Sequence, residues 1–190
     1  MKKGMTETEF RDRVLNEQPK LFDELGKDMM CRLCAELKKA DDSGYYVLVG
    51  KSRKPVKIRT SRVLKETQAV SFDCFNPLAW FYEGPIPDRI LSSADAANSE
   101  FDSTIEKVNP AEFDYLLYAL FYSDCIEIFC MSRSDVSRLD DFSEEQHRGN
   151  TEEGGQFHIN EANINFHRKL FLKKKMSYKE LQALFGIPAI

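Results

Sequence analysis

The stretch FDYLLYALFYSDCIEIFCMS, residues 113–132, limits the fold of this chain more than any other. Two apolar runs rich in β-formers, FDYLLYALF and CIEIFCM, are separated only by residues 122–124. With so little chain between them, they predict adjacent buried strands. Such strands need a core. The 190 residues are 42% hydrophobic, with 14 Phe, 7 Tyr and 1 Trp, which suits one domain spanning residues 1–190. Only 9 Gly and 7 Pro argue against a disordered or fibrous chain. No segment approaches the roughly 18 consecutive apolar residues of a membrane span. The opening MKKGMTETEF has no apolar run behind its lysines, so no signal peptide is read and a cytoplasmic location is expected.

Around this pair the periodicity predicts a mixed α/β domain, or α+β, with a central mixed sheet flanked by helices. Thr6 and Glu9 make a capping box for a first short helix. Apolar residues at steps of three and four over residues 19–39 predict an amphipathic helix ended by DDSG. YYVLV and VKIRT read as strands with a turn between them, and QAVSFDCF as a third strand. Residues 85–109 read as a polar surface loop. SRSDVSRL is a short helix capped by Ser132 or Ser134, and QFHI a short strand. A basic helix over residues 162–175 follows, then a last helix capped by Ser177 and Glu180.

Charge is segregated. Residues 51–65 hold seven Lys or Arg and no acid, and residues 167–179 hold cations only. Residues 83–114 carry eight Asp or Glu against two Lys or Arg, in a chain of net charge −4. Distribution matters more than the sum, so a basic face on an acidic protein is expected. Along VKIRTSR, Lys57, Arg59 and Ser61 share one strand face while Val56, Ile58 and Thr60 share the other. Such a run suits a surface that tracks a phosphate backbone; a solvated edge strand guarded by lysine is the plainer reading.

The element order resembles the PD-(D/E)XK nuclease family, which includes many restriction endonucleases. In that family a helix precedes a strand carrying Asp, and the next strand ends in Glu-x-Lys, often followed by Thr-Ser-Arg. Here GYYVLV resembles the Asp strand, VKIRTSR the Glu-x-Lys strand, and FDYLLYALF with CIEIFCMSRSDV the later strand pair and helix. HRGNTEEGGQFHIN is similar to late hairpins of several restriction enzymes. The likeness covers residues 20–160 as a nuclease-like core, with residues 161–190 as a C-terminal basic helix and final helix. Alignment on the TSR tail puts Tyr46 at the Asp position, Lys57 at the Glu position and Arg59 at the Lys position.

In the family the two acids hold Mg²⁺, so the resemblance implies a degenerate site. Two carboxylates become one cation and one neutral group, a change from about −2 to about +1 where a divalent ion needs anionic oxygens. Arginine also cannot serve as a base at neutral pH. The expected function is therefore double-stranded DNA binding without the usual metal, in a restriction, defence or DNA-processing role. Phosphate contacts are expected from Lys51, Arg53, Lys54, Lys57, Arg59 and Arg62, from His147 and Arg148 on an exposed loop, and from Lys173 and Lys174. Restriction enzymes are commonly symmetric, so a homodimer or a partner subunit is implied. Two alternatives stand beside this. One is an active Mg²⁺-dependent endonuclease with relocated acids, drawn from Asp41, Asp42, Glu66, Asp73 and Asp114, with Asp73 and Asp114 to be tested first. The other is a non-catalytic protein-interaction module contacting partners through residues 83–114 or the last helix.

Other chemistries lack their motifs. Cys31 and Cys34 form a lone CxxC in a helical run, read as small apolar residues rather than zinc ligands. His147, His158 and His167 fit no metal motif, although FHIN and NFHRK could bring the last two near each other. GxSxG, GxxxxGK[ST] and GxGxxG do not occur.

Overall fold

In the computed structural model, which describes residues 4–40, 46–49, 53–65, 89–144 and 154–190, the two apolar runs form the middle of a mixed sheet. Among the described residues six strands lie in the order β1 (Leu37–Lys39), β2 (Tyr46–Leu48), β3 (Lys54–Arg62), β5 (Tyr115–Phe121), β6 (Ile126–Ser132) and β8 (Leu172–Met176). β3 and β5 run parallel, and every other neighbouring pair is antiparallel. A separate antiparallel pair joins β4 (Asp102–Val108) to β7 (Gly155–Asn160). The helices are α1 (Glu7–Leu15), α2 (Pro19–Leu33), α3 (Arg133–Val136), α4 (Ile164–Phe171) and α5 (Tyr178–Leu184).

β5 is continuously apolar because both of its faces are covered. Ala119 and Phe121 enter one core with Val56 and Ile58 of β3, Phe10 of α1, Phe22 and Met29 of α2, and Leu181 of α5. Leu116, Tyr118 and Leu120 enter a second core with Ile105 of β4, Phe157 of β7 and Ile164 of α4. The arrangement is thus three-layered: helices α1, α2 and α5, the main sheet, then the β4–β7 pair with α4. Where α2 crosses β3 the approach is close, and a Cβ on Gly26 would stand 2.1 Å from Thr60 Cγ2.

Thr6 with Glu9 and Ser177 with Glu180 close the expected capping boxes, and of the two candidate caps of α3 it is Ser132 that caps, boxed with Asp135. Other boundaries differ. The amphipathic helix stops at Leu33 rather than continuing to residue 39, because Leu37 turns into the core on β1 and pairs with Leu48. The polar loop over residues 85–109 contains β4, with Ser103 and Ile105 facing inward, and Ala96 within it is fully buried. The basic helix over residues 162–175 ends at Phe171, and Leu172–Met176 instead pairs with β6. Residues 161–190 therefore supply one of the two outer strands of the main sheet among the described residues. The expected third strand, residues 68–75, lies outside the described residues. No helix among the described residues is long and apolar enough to cross a membrane.

Candidate functional site

The pairing of β2 with β3 brings the two family-like strands side by side, with Tyr46 opposite Val56. Opposed residues share a face, so Tyr46 joins Val56 and Ile58 on the helix side of the sheet. There it lines an open cleft with Glu24, Asp28 and Cys31 of α2. Burial, then Cys31 and the helix acids, raise its hydroxyl above the ordinary tyrosine range. Lys57 and Arg59 alternate with Val56 and Ile58 and point to the other face. The three family-equivalent positions do not share a pocket; the sheet lies between Tyr46 and the two cations.

Each described cation of β3 has a partner in its own chain. Lys54 Nζ lies 3.3 Å from Asp114, which Arg133 approaches at 3.3 Å from the other side. Lys57 Nζ lies 3.5 Å from Glu112. Burial, then the neighbouring Arg59, lower the Lys57 ammonium below the usual lysine value, with Glu112 opposing them. Arg59 donates from Nε to the Glu106 carbonyl at 2.7 Å and from Nη2 to the Lys107 carbonyl at 2.9 Å. That contact sits where β4 shifts register and Lys107 takes a left-handed φ of 57°. Arg62 is on the opposite, helix side: it donates to the Glu17 carbonyl and its guanidinium lies 3.7 Å from the Phe22 ring centroid. Cation–π packing of this kind fixes the side chain against the ring and favours its charged form without neutralising it.

The acidic segment explains the basic strand. Asp114, Glu112 and the carbonyls of β4 come from residues 83–114 and meet the cations of β3 in space. Segregation along the chain becomes complementarity in the fold. Arg53, just before β3, is exposed and forms no ion pair among the described residues. Lys51, Asp73, His147 and Arg148 lie outside the described residues, as do Asp41, Asp42 and Glu66.

At the far edge of the sheet the second basic cluster divides. Arg168 Nε lies 2.9 Å from Glu127, a carboxylate in the middle of CIEIFC whose side chain is only 3% exposed. Arg168 also donates to the Ser93 carbonyl at 2.7 Å. Lys175 donates to the Ser93 hydroxyl at 2.8 Å and lies 3.8 Å from Glu127. Ser93 in turn donates from its amide and hydroxyl to Asp124, at 2.7 Å each. Burial pushes the Asp124 carboxyl up, but those two bonds outweigh it and hold the group below its usual value. Sequence reasoning missed this network. Its one local signal is Glu127 itself, since an acid within a buried strand must find a cation. Lys169, Lys173 and Lys174 remain exposed with no ion pair among the described residues.

The residues at the family's metal positions do not suit a divalent ion, being one tyrosine across the sheet and two cations. Among the described residues no three His, Cys, Asp or Glu side chains gather as a metal site requires. Asp114 is held by Lys54 and Arg133. Cys31 and Cys34 are free thiols, one inside α2 and one at its C-cap. His158 and His167 lie on opposite sides of β7's layer. His158 Nδ1 meets Asp102 at 2.8 Å, whereas His167 is buried against Tyr118 and Phe157.

The chain matches no protein-family model, no curated protein and no solved structure. Its function is therefore read from geometry and charge.

Proposed function

We propose that this chain is a non-catalytic, duplex-DNA-binding domain of restriction-endonuclease-like architecture, in which the family's metal site is not assembled. Two observations favour the architecture. β2 and β3 pair directly, and the later strand pair β5–β6 follows with β5 parallel to β3 and a capped helix after β6. Lys57 and Arg59 stand on one face of β3, where a divalent ion would be repelled.

The observation that carries binding is the exposed run on β8. Lys173 and Lys174, with Lys169 at the end of α4, present positive charge free of ion pairs among the described residues, in a chain of net charge −4. Arg53 adds charge just before β3, whereas Lys54 is held by Asp114. Lys57, Arg59 and Arg62 hold the fold together and are not assigned phosphate contacts. Lysines also guard a free sheet edge against aggregation, so the experiment must separate the two roles.

Association of a short duplex, measured by fluorescence anisotropy over a salt series, does so. Each neutralised phosphate contributes about −0.9 to the slope of log K against log salt. The double variant Lys173→Ala, Lys174→Ala should lower affinity at every salt concentration and make the slope shallower by about 2. A slope unchanged by the substitutions, or no association of the native chain at low salt, sinks the reading. A protein-interaction module is the second reading, favoured by the half-exposed Phe166 and Leu170 on α4.

A further inference from the structure

Helix α4 buries Ile164, His167 and Phe171 against the second core and leaves an apolar pair on its outer side. Phe166 is 48% exposed and Leu170 is 50% exposed, one helical turn apart. The Phe166 ring is held in place, edge-on to Phe171 at 5.8 Å and to His167 at 5.7 Å. With Leu139 and Cys130 these two side chains line an open cleft of about 400 Å³ between α4 and the turn after α3. The cleft opens beside Cys130, past the last β6–β8 partners, Phe129 and Leu172.

The rim of this cleft is cationic. Arg138 and Lys173 line it, and Lys169 stands on the exposed side of α4 between the two apolar residues. None of the three forms an ion pair among the described residues. The one lining acid, Asp135, is occupied: its carboxylate accepts from the Ser132 amide at 2.8 Å and the Ser132 hydroxyl at 2.6 Å. An apolar floor with two anchor positions inside a positive rim is complementary to a segment carrying two apolar side chains flanked by carboxylates.

We infer that the α3–α4 cleft is a docking site for an acidic, amphipathic peptide segment of a partner protein. A second copy of the chain fits less well, because a two-fold contact would set the same three cations against themselves. Nucleic acid fits less well too, because Leu139, Leu170 and Cys130 give bases and phosphates nothing to bond. The inference stands on different side chains from the DNA reading, except for Lys169 and Lys173 at the boundary of the two surfaces.

The probe is a fluorescein-labelled synthetic peptide with Leu and Phe one helical turn apart among Glu and Asp, titrated with the full chain. Saturable binding is expected, weakened at least about tenfold by Phe166→Ser, by Leu170→Ser or by Arg138→Glu, and lost when the peptide acids are replaced by lysine. The Ser variants alter half-exposed positions, and far-UV circular dichroism with thermal melting checks that they fold. No binding by the native chain, or binding indifferent to Phe166→Ser and Leu170→Ser, overturns the inference. Self-association abolished by the same variants assigns the cleft to a second copy, and overturns it as well. Loss of duplex association in Phe166→Ser, rather than in the Lys173→Ala, Lys174→Ala variant, would give the cleft to nucleic acid and refute both surface assignments. Peptide binding that survives a failure of duplex association leaves this inference intact and removes only the DNA reading.

Discussion

His167 is 1% exposed, and its Nδ1 lies 2.7 Å from the Tyr118 hydroxyl, with the Phe157 ring stacked at 6.0 Å. Burial pushes the imidazole down from 6.5 to about 4, so it is neutral near pH 7. An unfolded chain takes up a proton at His167 below about pH 6.5, and the folded chain refuses it until about pH 4. The stability that neutral His167 contributes is therefore complete above about 6.5 and lost as the pH falls toward 4. The loss is at most about 1.4 kcal/mol per pH unit. Urea unfolding midpoints measured from about pH 7 down to about pH 5 should fall, and His167→Gln should flatten the trend. Asp124, held below its usual value, stays ionised in both states over this range and adds almost no slope there, so the comparison between native chain and variant isolates His167. Equal slopes would deny His167 this part. Neither Tyr118 nor His167 announces the pairing in sequence, because 49 residues separate them.

At the scale of elements, α2 and β3 meet at Gly26 and Thr60. Ala in place of Gly26 gains about 1 kcal/mol of helix propensity. The added Cβ would overlap the Thr60 methyl, however. Overpacking of this kind costs about 1–3 kcal/mol, so Gly26→Ala should lower the melting temperature, and Thr60→Ser should restore most of the loss. A Gly26→Ala chain more stable than native would show that the two elements can separate without penalty. The elements that are not legible in the sequence share a cause. β1 (LKK) and β8 (LKKKM) are the outer strands of the sheet, and edges are kept polar and lysine-rich to discourage pairing with other chains. Such strands lack apolar alternation, and lysine runs also suit a helix. β4 carries Asp102, Glu106 and Lys107, and its inward residues Ser103 and Ile105 make too short a pattern to stand out. The capped helices are legible because a capping box is closed within four residues.

For the molecule as a whole, Arg59 is the tie between layers. It belongs to the central sheet and binds two carbonyls of β4 in the layer above. Hydrogen bonds to a charged group contribute about 1.5–3 kcal/mol, so Arg59→Ala should destabilise by about that amount in urea unfolding. The salt slope of duplex association should stay unchanged, since Arg59 is assigned no phosphate. A shallower slope with unaltered stability would move Arg59 from the frame of the fold to its binding surface. The candidate site is thus only partly readable in the sequence. The alternation that sets Lys57 and Arg59 on one face is local and holds, but the availability of their charge is not a local property.

Taken alone, the sequence determined the buried strand pair, the capping boxes of the first and last helices, the hairpin pairing of YYVLV with VKIRT and the division of β3 into an apolar and a cationic face. Each of these depends on residues a few positions apart, where backbone geometry dictates which side chains share a face. Only the tertiary structure decided that Tyr46 lies across the sheet from Lys57 and Arg59, and that Asp114 and Glu112 occupy the cations of β3. It also placed the exposed lysines that lack an ion pair among the described residues at the far edge, beside a half-exposed phenylalanine. Contacts of these cations with partners 47 to 60 residues away follow from how the layers stack, as between Arg59 and the Glu106 carbonyl or Lys54 and the Asp114 carboxylate, and no periodicity encodes them.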